Sequence, residues 1–569
     1  MTTIRSPLLC LILGALCYYA ALPPLNIALL ALAVPICWGI VIRRQTTDGD
    51  RTNEKKSKTT FCRLPSLCSR LSVAVYLTAF LFWLASIWWI ACPHPLTSLG
   101  LLALSAYLSL YWLLFFVSAR VAVHHFHIPL LVAMPVCWIG CEYLRCRILG
   151  GFSFCALEHA LYLYPSLIQF AAIGGSTFVG GIIMLIGAAC VTCFHIPQLH
   201  CKVGYVVFVL VPLLLCFPLI GIVRMSENSI GTHYSAVALQ GNKPVRLNPE
   251  PGAADETFRQ FIDLIYQTVN ERTQAGRGKP DVFIFPETVC PIPVLAFEGT
   301  VTPADVGLTD EEAADWERWL RGFVQQIDTS MIFGLSTFVF QDDPDKPRRL
   351  NSALLVQPQR GEELGKVLRY DKMHLVMFGE YIPFADYLPD NFILRTLCPE
   401  AHHGNTPVVF PIGQGSDVVE ASMSICFESS VSHLIRRQVL TLRKQGRDPR
   451  VLVNLSNVGW FWFSQQIEQH LATHVFRAVE NRMWYVTATN GGFSATISPY
   501  GKIQAIGKRG AAESVAGTVS VNLNEAPPTT IYHIIGDWYA LPCAVVVLVL
   551  AGVGFHRTRR DRLMPPFRF

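Results

Sequence analysis

The chain has 569 residues, of which 51% are hydrophobic and only 15% are charged, and its formal net charge is +5. An average soluble domain carries about 25% charged residues, so this composition indicates a membrane protein of more than one domain. A net charge this small for the length gives no indication of nucleic-acid binding.

Eight apolar stretches approach the roughly 17–25 residues that cross a membrane as a helix. Seven precede residue 225 and one lies near the C-terminus: Pro7–Leu22, Leu25–Ile42, Leu71–Ala91, Thr97–Val117, Ile128–Leu144, Ser166–Phe194, Val203–Val223 and Trp538–Phe555. Buried helices of a soluble protein are the alternative, but so many long, nearly uncharged stretches argue against it. A cleaved signal peptide would explain the first stretch, yet a second follows at once.

Basic residues predict the orientation of these helices. The linker over 43–70 holds eight Lys and Arg against three acidic residues, and the tail holds Arg557, Arg559, Arg560 and Arg562. Cytoplasmic loops carry the excess of Lys and Arg, so the linker and the tail are expected inside. The sequence therefore predicts a membrane domain over 1–224, an external domain over 225–530, and a last helix with a cytoplasmic tail over 531–569.

The external domain alternates β-rich runs with amphipathic helical patterns. The predicted strands are Tyr234–Leu239, Val282–Phe285, Met331–Phe338, Ala353–Gln357, Lys366–Arg369, Val418–Ile425, Val451–Leu455 and Trp484–Thr489. The predicted helices are Glu256–Arg272, Asp310–Ile327, Val431–Lys444 and Gln465–Arg482. Nearly continuous apolar strands are covered on both faces, so the pattern predicts one α/β domain with helices packed on sheets.

Three reactive side chains follow predicted strands. Glu287 comes after 282–286, Lys372 after 367–371 and Cys426 after 418–425. A sheet fixes such residues while the next loop exposes them. Taken singly, each has a structural explanation: a turn, a solvated charge and a packed thiol. Together they offer a nucleophile, a base to take its proton and a cation to stabilise an oxyanion, which predicts acyl transfer through a thioester.

Cysteine usage adds a second reason to consider Cys426. The external domain contains Cys290, Cys398 and Cys426. An odd number of cysteines in an oxidising compartment leaves at least one free thiol unless chains are cross-linked. The count is consistent with a reactive cysteine in this domain.

Four segments resemble the membrane branch of the nitrilase superfamily, the bacterial apolipoprotein N-acyltransferases. They are F-P-E at 285–287, Y-D-K-M-H-L-V-M-F-G-E-Y-I-P-F at 370–384, S-I-C-F-E at 424–428 and N-L-S-N-V-G-W-F at 454–461. The likeness continues over 470–482 and 488–495 and in the arrangement of seven helices, outer domain and last helix. It implies an αββα sandwich for the external domain and a catalytic triad of Glu287, Lys372 and Cys426. By the same resemblance, Glu380 orients the lysine and Glu428 supports the nucleophile loop.

The resemblance also implies the reaction and the location. Members of the family transfer a fatty acyl chain from a membrane phospholipid to the α-amino group of an S-diacylglyceryl-cysteine at a lipoprotein N-terminus. The implied partners are the phospholipid, the apolipoprotein and the surrounding lipid, with no cofactor, metal or nucleic acid. The chain is then expected in the bacterial inner membrane, with the catalytic domain periplasmic and both termini cytoplasmic.

Phe427, Trp460 and Phe461 are expected to contact the substrate, in segments where this chain departs from the family pattern. Phe427 stands where the family usually has Tyr, 456–462 reads S-N-V-G-W-F-W instead of S-N-D-A-W-F-G, and 243–251 lacks the common Trp. Trp460 and Phe461, with Trp462 and Phe463, form an apolar loop that either enters lipid or is a buried aromatic cluster.

Polar residues near the membrane have two further interpretations. Glu142 and Arg145 lie one turn apart, so they either pair with each other or bind a headgroup or the outer domain. His124, His125 and His127 fall in a short predicted cytoplasmic loop, where interfacial polar residues are favoured over metal ligands.

Two other functions compete with acyl transfer. A membrane-tethered amidase or nitrilase-type hydrolase would use the same triad on a small amide. An enzyme with a soluble substrate would not need eight membrane helices, which argues against this alternative. A non-catalytic scaffold or transporter-like protein would not require an intact triad.

Overall fold

The computed structural model describes residues 6–44, 70–196, 198–206, 231–247, 250–360, 365–383, 400–414, 417–461 and 464–563, with a few isolated residues between 211 and 222 and between 387 and 398. The chain forms two compact units. The first contains residues 1–91, 95–225 and 535–569, and the second contains 92–94 and 226–534.

The described part of the first unit is helical. Its helices are α1 (Pro7–Ala21), α2 (Leu30–Arg43), α3 (Arg70–Ser86), α4 (Thr97–His124), α5 (Leu130–Arg145), α6 (Ala171–Gly174), α7 (Ser176–Phe194), α8 (Leu199–Tyr205) and α15 (Ala540–Leu563). Aromatic rings fill the space between them: the Trp38 ring lies 4.5 Å from Trp112 and 5.9 Å from Trp138, measured between centroids. Such contacts bury large apolar areas and hold the helices together.

The outer surface of these helices is apolar as well. Among the described residues, α4 and α7 are long and apolar enough to cross a membrane, and α1, α2, α3 and the first part of α15 are shorter apolar helices. Leu16, Leu81, Leu99 and Leu548 are each more than half exposed. A helix that is apolar on all sides is typical of burial in a large core or in lipid.

Two membrane predictions differ from the structure or lie outside it. The predicted sixth stretch, Ser166–Phe194, is not one helix: α7 begins at Ser176, after a break at Gly175, whose φ is 77°. Glycine adopts this left-handed conformation without a steric penalty, and the helix cannot continue through it. The predicted seventh stretch, Val203–Val223, lies mostly outside the described residues, as does the basic linker.

The second unit contains two β-sheets. The first sheet has the strand order β13-β1-β2-β4-β5-β6, with β3 beside β4, and the second has the order β12-β11-β10-β9-β8-β7. The strands of the first sheet are β1 (Thr232–Gln240), β2 (Val282–Ile284), β3 (Val294–Phe297), β4 (Ser330–Phe340), β5 (Arg348–Val356), β6 (Val367–Asp371) and β13 (Glu513–Val521). Those of the second are β7 (Val409–Gln414), β8 (Asp417–Ile425), β9 (Pro449–Asn457), β10 (Trp484–Asn490), β11 (Ala495–Ile497) and β12 (Ile503–Ile506).

Helices pack on both sheets. The described helices of this part of the chain are α9 (Ala253–Gln274), α10 (Asp310–Ala313), α11 (Asp315–Ile327), α12 (Ser432–Lys444), α13 (Gln466–Asn481) and α14 (Ile531–Ile535). One apolar core lies between the sheets and includes Ile284, Tyr370, Ile425 and Leu455. A second core packs α9 and α11 against the first sheet, while α12 and α13 contact the second sheet. The unit is therefore an αββα sandwich, as the resemblance implied.

The predicted strands and helices of this unit are confirmed with modest shifts of their ends. The predicted helix Asp310–Ile327 is divided at Ala314 into α10 and α11. Strands β3, β7, β11, β12 and β13 were not predicted. Strands β3, β11 and β12 have only three or four residues, whereas the alternating burial of β13, with Val515, Val519 and Val521 inside, was missed.

Candidate active site

Sheet topology brings the three predicted strand ends to one place. Strands β2 and β4 are parallel, and β5 is antiparallel to both β4 and β6, so β2 and β6 end at the same edge of the first sheet. Glu287 and Lys372 follow these two strands. Cys426 follows β8 of the second sheet directly, and its thiol lies within hydrogen-bond reach of Glu287. The structure thus brings the three predicted side chains together, and their catalytic roles stay predictions.

Lys372 is buried between two carboxylates. Its Nζ lies 2.7 Å from Oε1 of Glu380 and 3.2 Å from Oε1 of Glu287. Burial alone would lower the pKa of Lys372, but the two carboxylates outweigh burial and hold that pKa well above its usual value. The side chain is therefore positively charged at neutral pH.

Two asparagines that the sequence interpretation did not assign complete the surroundings of Glu287. Nδ2 of Asn351 donates to Oε1 of Glu287 at 2.7 Å and to Oε1 of Glu380 at 3.2 Å. The backbone N–H of Asn457 donates to Oε2 of Glu287 at 2.9 Å. Asn351 is a polar residue within the apolar strand β5, which is the signal that would have identified it.

Cys426 has an unusual backbone conformation. Its φ is 52°, in the left-handed region, where a residue with a side chain is strained. The pKa of the Cys426 thiol is well above its usual value. Burial is the largest cause and the negative charge of Glu287 the second, while Lys372 acts in the opposite direction. The resting sulfur is therefore a thiol with a carboxylate beside it, and the carboxylate can accept the proton as the sulfur attacks.

Glu428 joins the loop of the nucleophile to the loop of the lysine. Its Oε1 accepts the N–H groups of Met373 and His374 at 2.7 and 2.9 Å. Its Oε2 accepts the N–H of Ile425 at 2.6 Å and the hydroxyl of Tyr370 at 2.8 Å. Burial raises the pKa of Glu428 to about 7, against the opposing effect of these donors. Glu428 therefore acts on the geometry of both loops.

A glycine allows the turn after β2 to pack tightly. A Cβ on Gly334 would lie 2.1 Å from the carbonyl oxygen of Pro286 and 2.8 Å from Cα of Glu287. Both distances are below those of real side-chain contacts, so any larger residue would displace Glu287.

Three of the remaining predicted site residues, Phe427, Trp460 and Phe461, lie in the second unit. The ring of Phe427 stacks on His374, with 5.9 Å between centroids. Trp460 and Phe461 are partly buried in a short 3-10 turn, whereas Trp462 and Phe463 lie outside the described residues.

In the first unit, Arg145 and Glu142 pair with each other. Arg145 Nε donates to Oε1 of Glu142 at 3.0 Å, and Nη1 donates to the carbonyl oxygens of Phe152 and Phe154 at 2.5 and 3.0 Å. The predicted ion pair is confirmed, and a role of the two residues in substrate binding stays a prediction.

Comparison with known proteins places this geometry in a family. The carbon-nitrogen hydrolase domain matches residues 239–526, and the apolipoprotein N-acyltransferase N-terminal domain matches residues 59–189. The apolipoprotein N-acyltransferase of Geobacter metallireducens is 29% identical over 76% of this chain and 75% of its own length. That of Pasteurella multocida is 26% identical over 82% of this chain and 81% of its own.

Solved structures include a similar amidase from a Nesterenkonia species, with 16% identity, a TM-score of 0.33, and coverage of 52% of this chain and 94% of the amidase. The carbon-nitrogen hydrolase match covers the αββα sandwich from the end of β1 to beyond β13, including Glu287, Lys372 and Cys426. The chain belongs to the carbon-nitrogen hydrolase family, in its apolipoprotein N-acyltransferase branch.

Proposed function

We propose that the chain transfers a fatty acyl chain from a membrane phospholipid, through a thioester on Cys426, to the α-amino group of an S-diacylglyceryl-cysteine at a lipoprotein N-terminus. The observation that carries the proposal is the buried group of Glu287, Lys372 and Glu380 beside the Cys426 thiol. The N-terminal domain of apolipoprotein N-acyltransferases in the same chain supports this acceptor over a small soluble amide.

The first half-reaction forms the thioester. Glu287 takes the proton from Sγ of Cys426 as the sulfur attacks the ester carbonyl carbon, and the Lys372 ammonium stabilises the oxyanion that develops. Collapse of this intermediate breaks the ester C–O bond. The proton held by Glu287 passes to the leaving oxygen, and a lysophospholipid departs.

The second half-reaction forms the amide. The α-amino group of the acceptor, whose ordinary pKa is about 7.7–8.0, supplies a neutral fraction that attacks the thioester carbonyl. Glu287 accepts a proton from the attacking nitrogen, the C–S bond breaks, and the sulfur of Cys426 regains a proton. The enzyme returns to its starting state without a cofactor.

The donor and the acceptor both carry long acyl chains, which supports a membrane location. Each buried CH₂ is worth about 0.8 kcal/mol, so moving such chains into water costs far more than one binding site recovers. We propose eight membrane crossings in a bacterial inner membrane, with the catalytic unit periplasmic and both termini cytoplasmic. The apolar outer surface of the helices supports embedding in lipid.

The decisive experiment is detection of the thioester. Full-length protein is incubated with phosphatidylethanolamine vesicles, and peptides are analysed by mass spectrometry. We expect an acyl adduct on Cys426 that disappears on addition of a diacylated lipopeptide, and no adduct in Cys426→Ala, which should fold normally. Triacylation of the lipopeptide by Cys426→Ala would rule out this mechanism. Turnover of a small amide without any lipid adduct would indicate a hydrolase.

A further inference from the structure

Three buried polar side chains meet next to the nucleophile. Ser429 lies in the 3-10 turn that begins at Cys426, and His470 and His474 lie one turn apart on α13. Oγ of Ser429 is 2.9 Å from Nε2 of His470 and 3.0 Å from Nε2 of His474. Each of the three side chains is at most 3% exposed. Neither histidine has a part in the proton transfers described above.

The number of available protons fixes the direction of these hydrogen bonds. The Ser429 hydroxyl has one proton, and its Oγ lies 2.9 Å from the carbonyl oxygen of Cys426, which can only accept. Both histidines must therefore donate their Nε2–H groups to Oγ. Nδ1 of His474 has no hydrogen-bond partner among the described residues, which agrees with a proton on Nε2. Burial lowers the pKa of His470 to about 4, so its ring is neutral.

These bonds converge on one backbone carbonyl. The oxygen of Cys426 accepts from Ser429 at 2.9 Å and from Nδ2 of Asn454 at 3.4 Å. Cys426 is the residue with the strained left-handed backbone. Donors on its carbonyl fix the orientation of the following peptide plane, because a trans peptide is rigid.

We propose that Ser429, His470 and His474 are positioning residues: they hold the Cys426 carbonyl and so maintain the backbone conformation that presents the thiol to Glu287 and Lys372. The inference rests on the proposed function only in the choice of reaction to be measured. We call these three side chains the relay. Each histidine donates its Nε2–H to the Ser429 hydroxyl, and the hydroxyl donates to the Cys426 carbonyl.

The test compares substitutions that keep or remove this donor. In His470→Gln the side-chain amide nitrogen can replace Nε2, whereas His470→Leu removes the donor and preserves bulk. Two rates are measured on full-length protein: acyl-adduct formation on Cys426 with phosphatidylethanolamine vesicles, and alkylation of Cys426 by iodoacetamide. Alkylation involves no lipid, so it reports the position of the thiol beside its base even if the protein does not use phospholipid.

We expect His470→Leu to slow both reactions by about ten- to one-hundredfold, in line with the effect of small misplacements of reacting groups. We expect His470→Gln to stay within about threefold of the parent. The proposal is overturned if leucine has no effect, if glutamine is as slow as leucine, or if alkylation becomes faster. Ser429→Ala, which removes the common acceptor and donor, must show the same loss and decides the matter if His470→Leu does not fold.

A matched control separates positioning from general loss of a buried histidine. His533 is also buried in this unit, and its Nε2 lies 3.0 Å from Oδ1 of Asn481. We expect His533→Leu to lower thermal stability and to leave the alkylation rate of Cys426 unchanged. If the parent forms no acyl adduct but the alkylation pattern holds, the proposed function fails and the positioning role stands.

Discussion

At the scale of single residues, the charges around Lys372 determine whether the Cys426 sulfur is protonated. One ammonium faces the carboxylates of Glu287 and Glu380, and Asn351 donates to both carboxylates without adding charge. A thiolate would add a third negative charge to the same pocket. The resting sulfur therefore keeps its proton, in agreement with the raised pKa of Cys426.

Removal of the lysine charge should affect both catalysis and stability. In Lys372→Met two carboxylates remain in a buried pocket without a cation, which typically costs about 3–5 kcal/mol. We expect a clear drop in melting temperature and a loss of at least about a hundredfold in acyl-adduct formation. Lys502→Met, at an exposed position of the same unit, is the control. Normal adduct formation in Lys372→Met would exclude the lysine from the first step.

The buried histidine gives a pH dependence with a defined sign. The pKa of His470 falls from an ordinary 6.5 to about 4 in the folded state, so between these values the unfolded chain binds the proton more readily. Acidification through this window should reduce stability by roughly 3 kcal/mol at most from this residue. The contribution is present above pH 6.5 and is lost as the pH falls towards 4.

The measurement is the difference in melting temperature between the parent and His470→Gln from pH 4 to 7.5. The difference is needed because Glu428, whose pKa is raised from 4.5 to about 7, acts in the opposite direction over the same window. Parallel curves for the two proteins would contradict the assignment of a neutral buried ring.

At the scale of elements, the site depends on hydrogen bonds between the loop that carries Lys372 and the turn that begins at Cys426. The lysine loop is held from within by Glu380, whose Oε2 accepts the N–H of Val376 at 2.8 Å while Oε1 accepts from Lys372. It is held from outside by Glu428 on the nucleophile turn. Glu380 thus joins the Lys372 side chain to the backbone of its own loop, and Glu428 joins the backbones of the two loops.

Glu380→Gln should weaken the hydrogen bonds that hold the lysine loop, because the two side chains have nearly the same volume but different hydrogen-bonding groups. Lys372 and Val376 donate to different oxygens of Glu380, and glutamine replaces one of these oxygens with an NH₂ group that cannot accept, so one bond is lost. We expect the amide of Val376 to exchange hydrogen at least about tenfold faster, because a net hydrogen bond to a charged group is worth about 1.5–3 kcal/mol. Hydrogen exchange followed by mass spectrometry over 373–382 measures this.

The control for this substitution is Glu400→Gln, at an exposed position. Unchanged exchange in Glu380→Gln, together with an unchanged rate of adduct formation, would exclude Glu380 from orienting the lysine.

At the scale of the whole molecule, the two units differ in what their surfaces expose. The helical unit has apolar side chains both between and outside its helices, whereas the sandwich carries its apolar residues mainly in two internal cores. The first pattern suits lipid and the second suits water.

The proposed topology can be tested by protease accessibility. An epitope inserted at Asp345, in the exposed turn between β4 and β5, should be cleaved in intact spheroplasts, and one added after Phe569 should be protected until the membrane is broken. The physical reason is the excess of Arg in the tail, which favours the cytoplasmic side. Accessibility of the C-terminal epitope in intact spheroplasts would contradict the proposed crossing count or orientation.

Local sequence was sufficient for eight of the thirteen strands and for helices α9, α11, α12 and α13 among the described residues, and it identified three candidate reactive side chains. Apolar length, strand patterning and the positions of Glu287, Lys372 and Cys426 depend on residues next to each other in the chain, and the strands and helices of the catalytic unit agree with that interpretation. The break at Gly175 was missed, because hydrophobicity is continuous across it although the backbone is not.

Only the tertiary structure decided how these residues are joined. Lys372 and Glu287 are 85 positions apart, and which strands lie beside each other is set by long-range pairing that no local pattern contains. For the same reason Asn351, Asn457 and the relay of Ser429, His470 and His474 emerge only in the folded chain. A hydrogen bond between distant residues leaves no periodic pattern in the sequence. Its strength also depends on burial, which exists only in the folded chain.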